Sequence, residues 1–157
     1  IKLCPTSNPL IPAKILIELS KGEKSIEISR KILSDKSNYN AQQIFSYLDT
    51  DKKNRVDSID IVNYLTSKNC KVTEKETQLI VLFYDQDYDG VLSFPEFKNL
   101  IQSEYSIPKS SNYISDNITF DIDFSLLAIL QKELELARKI LDLLFILKIS
   151  SIASIFK

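Results

Sequence analysis

Residues 85–96, DQDYDGVLSFPE, place four acids within twelve residues. Carboxylates this close repel one another, so the stretch is either a solvated acidic loop or a cation site. The groups that could offer oxygen to a cation are Asp85, Asp87, Asp89, the backbone carbonyl of Val91, Ser93 and Glu96. Gly90 follows the three aspartates and permits the sharp turn that a chain curling around an ion needs.

Oxygen atoms at this spacing suit a hard cation. Calcium takes about six to eight oxygens at about 2.3–2.6 Å, and Glu96 is long enough to donate two of them, which favours calcium over magnesium. The stretch resembles the loop of the EF-hand calcium-binding family, with ligands at positions 1, 3, 5, 7, 9 and 12 and glycine at position 6. The resemblance implies a Ca²⁺ site at Asp85, Asp87, Asp89, Val91, Ser93 and Glu96, with a helix on each side.

A second loop, DTDKKNRVDSID (49–60), precedes the first, as expected for EF-hands, which occur in pairs. Lys53 lies at position 5, where a ligand oxygen is expected, and Asn54 replaces the glycine. Asp60 replaces glutamate at position 12 and is one methylene too short for easy bidentate binding. Because the lysine ammonium can neutralise the charge that would attract an ion, we interpret this loop as a degenerate, structural EF-hand.

Helical patterns surround both loops and predict an all-α fold. Only two glycines occur in the chain, fewer than an extended sheet usually needs at its turns. We expect Val56 and Leu92, at position 8 of each loop, to pair as a short two-stranded bridge that completes a four-helix lobe. The predicted helices cover 12–33, 40–48, 59–65, 73–84, 94–102 and about 124–148.

Four segments follow from this pattern. They are an N-terminal helical segment (1–37), the EF-hand pair (38–103), a polar linker (104–120) and a long C-terminal amphipathic helix (121–157). The last helix carries a heptad-like apolar stripe that packs on this chain or docks on a separate partner, and the apolar stretch 140–156 favours the partner. The stripe consists of Leu127, Leu130, Leu134, Ala137, Leu141 and Leu144.

KSIEISRKIL (24–33) and KELELARKIL (132–141) align without a gap. Either two charged amphipathic helices share a composition, or the chain contains an internal repeat of about 108 to 111 residues whose next unit starts at the C-terminal helix. With the EF-hand pair between them, the arrangement resembles, more weakly, the tandem EF-hand repeat proteins of ciliated protists. That resemblance implies a ciliary or other cytoskeletal location.

Composition excludes several functions. The net charge of −1, with both signs interspersed, does not indicate nucleic-acid binding, and the absence of histidine removes the commonest general base. Asp142 and Lys148 interrupt the most apolar stretch, so no membrane span is predicted. The wide spacing of Cys4 and Cys70 favours reduced thiols in a cytoplasmic chain, and a disulfide between them is the alternative. The absence of methionine, even at position 1, predicts a piece of a larger protein.

Three functions remain at this point. The first is a calcium-binding structural or scaffold protein whose long helices contact protein partners in a larger complex. The second is a selective calcium sensor that presents a groove to a target helix, although the chain lacks the methionines typical of adaptable grooves. The third is a regulatory piece of a calcium-dependent enzyme. We predict that these residues themselves are not an enzyme.

Overall fold

The computed structural model describes the backbone of residues 10–106 and 118–155, and the side chains of 13–106 and 118–148. Over these residues the chain is helical, and its only β-structure is an isolated bridge between Val56 and Leu92. The prediction of an all-α fold is therefore confirmed. The helices are α1 (Leu10–Ser34), α2 (Ala41–Leu48), α3 (Ser58–Ser67), α4 (Glu74–Tyr84), α5 (Phe94–Ile101) and α6 (Phe120–Ile155).

Polar side chains cap the short helices where the sequence predicts their starts. The Asn40 side chain accepts the N–H of Gln43 at 3.1 Å, which begins α2. The Thr73 hydroxyl accepts the N–H of Glu76 at 3.3 Å, which begins α4. These bonds satisfy backbone donors that the first turn of a helix leaves without partners, so the helix starts are encoded locally.

The four short helices form a lobe with an aromatic centre. α2 packs against α5, and α3 packs against α4. The Phe45 ring meets the rings of Phe94 and Phe97 edge-on, with centroids 5.5 and 5.4 Å apart. Phe45 and Phe97 are buried, and this edge-to-face geometry adds to the free energy gained from burial. The packing therefore holds the two helix–loop–helix units together.

The two long helices lie antiparallel and pack on each other and on the lobe. Lys36, just after α1, binds Asp121 in the first turn of α6 at 2.8 Å. Further back along α1, Gly22 faces Leu136, and a Cβ atom at Gly22 would lie 2.6 Å from a methyl group of that leucine. Gly22 therefore allows the close approach of the two helices. The segments 1–37 and 121–157 are therefore neighbours in space where they are described, as the alternative in which the last helix packs on this chain predicts.

The buried face of α6 is wider than the predicted stripe. Within the stripe, Leu130, Leu134 and Ala137 are buried against this chain, whereas Leu144 is 44% exposed. Arg138 of α6 binds the first turn of α4, and α6 continues beyond that point, so docking of this part of the stripe on a partner stays a prediction. α6 contacts both α1 and α4, and contact with two helices buries more of its residues than contact along a single apolar stripe would. The additional buried residues are Ile122, Ser125, Leu126, Ile129, Glu133, Leu136 and Ile140.

Two predictions fall partly outside the described residues. Most of the predicted linker, 104–120, lies outside them, since residues 107–117 are not described. Cys4 also lies outside them, whereas Cys70 is a free thiol.

Candidate metal centre

Loop 85–96 joins α4 to α5 and curls around its first residue. The Asp85 carboxylate accepts the backbone N–H of Asp89 at 3.2 Å and that of Gly90 at 2.8 Å. Tyr88 and Gly90 have left-handed backbones, with φ of 58° and 83°. A side chain at position 90 would be strained in that conformation, so glycine makes the sharp turn possible.

The acids of this loop converge. Asp85, Asp87, Asp89 and Glu96 each offer a carboxylate oxygen that lies within 4.8 Å of the others. Glu96, in the first turn of α5, accepts the N–H of Gln86 at 2.6 Å, so its carboxylate reaches across to the start of the loop. Asp85 and Glu96 are buried, whereas Asp87 and Asp89 are exposed. The structure thus brings together four of the six predicted ligands.

The other two predicted ligands lie in the same loop. The Ser93 hydroxyl donates to Glu96 Oε1 at 2.8 Å, and the Ser93 N–H donates to the same oxygen at 2.9 Å. Ser93 therefore borders the carboxylate cluster. The Val91 N–H donates to the Asp89 carboxylate at 3.1 Å. Whether the Val91 carbonyl and Ser93 bind an ion stays a prediction.

Hydrogen bonds distribute the negative charge unevenly within the cluster. Desolvation raises the pKa of Asp85, but the backbone N–H of Gly90 and other donors outweigh it and lower the pKa overall. Desolvation also raises the pKa of Glu96, but hydrogen bonds from Ser93 and from the backbone N–H groups of Gln86 and Asp87 outweigh it and lower the pKa overall. Desolvation and the neighbouring Asp85 raise the pKa of Asp87. The negative charge is therefore held most firmly at the two ends of the loop.

The donor set fits a hard divalent cation. All four converging groups are carboxylates, which calcium and magnesium prefer over nitrogen or sulfur ligands. The four carboxylate oxygens lie within 4.8 Å of one another, and a cation bound among them would also reduce the repulsion among the four acids. The residues present therefore fit the ion that the sequence predicts.

Loop 49–60 has the same backbone scaffold. The Asp49 carboxylate accepts the N–H of Lys53 at 3.0 Å and that of Asn54 at 2.7 Å, the counterparts of the two bonds at Asp85. Lys52 and Asn54 have left-handed backbones, with φ of 55° and 63°. Asparagine tolerates this conformation better than most residues, so the turn forms without glycine.

A lysine ammonium lies among the acids of this second loop. Lys53 Nζ is 2.8 Å from Asp57, 3.1 Å from Asp51 and 3.3 Å from Asp60. The pKa of Lys53 is raised, first by its hydrogen bond to Asp57. Oxygens of Asp49, Asp51 and Asp60 lie within 4.8 Å of one another, so the loop keeps the acidic outline of a cation site. The positive charge at the centre of this loop is supplied by the Lys53 side chain.

The two loops are joined at position 8. The Val56 N–H donates to the Leu92 carbonyl at 2.9 Å, and the Leu92 N–H donates to the Val56 carbonyl at 2.7 Å. Both side chains are fully buried. This is the pairing that the sequence predicts, and it ties the position of one loop to that of the other.

Part of the chain matches a known protein family. Residues 38–102 match the model of an EF-hand domain pair. The fold of this region is an EF-hand pair. No curated protein matches the chain, and no solved structure does. The EF-hand resemblance is thus supported, while nothing found supports the weaker resemblance to repeat proteins of ciliated protists.

Within the described part of the chain, no helix is both long and apolar enough to cross a membrane.

A buried ionic cluster beside the EF-hand pair was missed from the sequence. Arg30 of α1 and Glu133 of α6 are 3.3 Å apart and buried, and both bind the hydroxyl of Tyr84 at the end of α4. Glu133 is an acid between Leu130 and Leu134 on the buried side of α6. A charged residue inside an apolar stripe is the signal that could have revealed the cluster, because buried acids need partners.

Proposed function

We propose that the chain is a calcium-binding EF-hand protein with one competent site, at 85–96, and one degenerate site, at 49–60. The observation that carries this proposal is the contrast between the two loop centres. Four carboxylates converge in the first loop, whereas the Lys53 ammonium lies among the acids of the second. An ion at 49–60 would meet this fixed positive charge at close range, and the repulsion opposes binding.

Calcium is the proposed ion because of position 12. Glu96 has two oxygens that face the start of the loop and the Ser93 end, and so can bind an ion with both. Bidentate binding raises the number of oxygens toward the six to eight that calcium takes, while magnesium favours a tighter octahedron. The proposed ligands are Asp85, Asp87, Asp89, Val91, Ser93 and Glu96.

We propose a structural role rather than that of a sensor. Apolar residues of the EF-hand pair and of α6 form one buried cluster, so α6 covers apolar surface of the lobe that a target helix could otherwise bind. Tyr64 and Lys68 of α3 bind Asp123 of α6, which fixes the start of α6 on the lobe. With that surface covered, calcium stabilises an existing assembly of helices. We propose no catalytic role for these residues.

Protein partners and a cytoskeletal setting complete the proposal. The part of α6 beyond the lobe exposes Leu144, Phe145 and Ile146, and α1 exposes Leu16 and Ile17. These side chains are the proposed contacts to other proteins of a larger complex. Location in the cytoplasm, at a cilium or at another part of the cytoskeleton stays a prediction of the weaker resemblance and of the composition.

Calcium titration by calorimetry tests the proposed function. The whole chain should bind one calcium ion, and Glu96→Gln should abolish or greatly weaken binding because it removes the bidentate carboxylate. Asp60→Asn is the matched control, since it changes the same position of the degenerate loop and should leave the calcium isotherm unchanged.

Two results would contradict the proposal. Unchanged binding by the Glu96→Gln variant would show that the ion binds elsewhere. Loss of one of two bound ions in the Asp60→Asn variant would show that loop 49–60 is a competent site.

A further inference from the structure

We propose that Arg30 and Glu133, which lie outside residues 38–102, are positioning residues for the calcium site at 85–96. Among the described contacts, neither residue forms a hydrogen bond or an ion pair with the loop. They act through the two helices that carry its first and last ligands. The inference rests on the proposed function, because it concerns the affinity of that site for calcium.

The first connection reaches the end of α4. Tyr84 is the last residue of α4 and directly precedes Asp85, the first proposed ligand. Its hydroxyl accepts a hydrogen bond from the Arg30 guanidinium and donates one to the Glu133 carboxylate. The Arg30 guanidinium carbon also lies 5.6 Å from the centre of the Tyr84 ring. α1 and α6 therefore hold the point at which the chain enters the loop.

The second connection reaches α5. Arg30 Nε donates to the carbonyl of Leu100 at 2.9 Å, in the last turn of the helix whose first turn carries Glu96. Just past α5, the Ser103 N–H donates to the Ser34 hydroxyl at 3.2 Å, and the Ser103 hydroxyl binds Glu27. One guanidinium group thus binds both helices that flank the loop, and α1 holds α5 at a second point.

Because Arg30 and Glu133 are buried, their contacts restrict the positions of the helices that they join. Arg30 is 6% exposed and Glu133 is fully buried, and Glu133 Oε2 has no hydrogen-bond partner. Breaking a buried ion pair strands a charge away from water, which costs more free energy than the loss of a surface pair. The planar guanidinium donates in fixed directions, so it can bind Tyr84, Glu133 and Leu100 together only in a narrow range of helix positions.

The cluster and the calcium site favour the same arrangement of α4 and α5. Where the cluster is formed, the carboxylates of Asp85 and Glu96 lie close enough to share one ion. A change in the angle between α4 and α5 would break a bond of Arg30 and also separate these two acids. Cluster formation and ion binding should therefore strengthen each other, because two events that favour one state are linked reciprocally.

Calcium affinity of the whole chain, measured by calorimetry, tests the inference. Arg30→Gln removes the guanidinium, and we expect the affinity to fall by about 10- to 100-fold, within the usual range for coupled sites. Tyr84→Phe removes only the hydroxyl, and we expect a fall of about 3- to 10-fold. Arg30→Lys should give an intermediate affinity, since an ammonium cannot reproduce the directions of the guanidinium bonds.

Arg138→Gln is the matched control. Arg138 is the arginine of α6 that aligns with Arg30, but it binds Glu76 and the carbonyl of Lys71 at the other end of α4. Its loss should lower stability slightly and change calcium affinity by less than about twofold.

The outcomes separate the inference from the proposed function. No calcium binding by the unmodified chain would overturn the proposed function. Normal binding by that chain, with the same affinity in the Arg30→Gln and Tyr84→Phe variants, would overturn only the inference. A residue with a merely structural role would lower the melting temperature without calcium and leave the affinity unchanged. If the Arg30→Gln variant does not fold, as judged by circular dichroism, the Tyr84→Phe variant decides.

Discussion

Loops 49–60 and 85–96 share a backbone and differ at their centres. In both, the first aspartate accepts the N–H groups of positions 5 and 6, and positions 4 and 6 are left-handed. In both, the acid at position 12 accepts the N–H of position 9, at 3.1 Å in one loop and 2.9 Å in the other. The centre of one loop holds a lysine ammonium, and acids converge in the other.

This contrast separates folding of the loop from binding of an ion. The bonds that shape each loop run from the backbone to the first aspartate, so they need only that residue and a tolerant residue at position 6. What the centre accepts depends on the side chains at positions 5 and 12. The chain keeps the paired fold, with its Val56–Leu92 bridge, while we propose that only one loop takes an ion.

The residues that directly precede the two loops also differ in their surroundings. Leu48 precedes the first loop and is buried in the apolar core, whereas Tyr84 precedes the second and ends at the Arg30–Glu133 pair. Loop 49–60 is therefore preceded by a residue held in apolar packing. The proposed calcium loop is attached to a polar cluster whose geometry is more restrictive.

Converting loop 49–60, which we propose is degenerate, into a calcium site should give the largest effect. Lys53→Asp combined with Asp60→Glu replaces the ammonium by a ligand and supplies a longer acid at position 12. We expect a second calcium ion to bind, because the scaffold around Asp49 is already that of loop 85–96. Calorimetry would count the ions. A stoichiometry that stays at one would show that the two loops differ in more than these side chains.

The pH dependence of stability should show the next largest effect, at Glu133. Burial raises the pKa of Glu133 from 4.5 to about 7, although Tyr84 and Arg30 act to lower it, while Glu23 adds to the rise. A carboxyl with a raised folded pKa favours folding when protonated. Its contribution is therefore complete below pH 4.5 and is lost as the pH rises through 7.

Urea unfolding of the unmodified chain and of the Glu133→Gln variant, without calcium, measures this loss. The difference in free energy of unfolding should shift in favour of the variant by on the order of 3 kcal/mol as the pH rises through this window. All other titrating groups are common to both chains, so their contributions to the pH dependence cancel in this difference. A difference that does not vary with pH would mean that Glu133 titrates at its ordinary pKa.

Substitutions at the sixth position of each loop should have the smallest effect, on the free energy of unfolding. Gly90→Ala places a side chain at φ 83° and should lower the free energy of unfolding by about 1–2 kcal/mol. Asn54→Gly makes the opposite change at the matched position and should alter it by less than about 0.5 kcal/mol. Urea unfolding without calcium compares them. Equal effects of the two substitutions would contradict the difference between glycine and asparagine at this turn.

Local features of this molecule could be predicted from the sequence. The spacing of the acids, the cap at Thr73 and the pairing of Val56 with Leu92 each depend on residues close together or on a motif with fixed geometry. The position of Lys53 among its acids follows from its place in the loop. These features need no knowledge of how distant helices pack.

The features that depend on distant helices could not be predicted. The sequence leaves packing of the last helix on this chain as one of two alternatives, but it does not give the antiparallel direction of α1 and α6 or the Arg30–Glu133 pair, because these helices are far apart in the sequence. The full width of the buried face of α6 could not be predicted either, because nearly every turn of that helix carries apolar residues and its periodicity admits more than one stripe. Contact with two neighbours then decides which residues are buried.

The central claim is that one loop of the pair binds calcium and the other does not. The amides of Gly90 and Asn54 are matched reporters, because each donates to the first aspartate of its loop, at 2.8 and 2.7 Å. In a calcium titration followed by ¹H–¹⁵N NMR, the Gly90 amide should shift strongly, since an ion on Asp85 changes the polarisation of its hydrogen bond. The Asn54 amide should shift little. A comparable shift at Asn54, or no shift at Gly90, would contradict the claim.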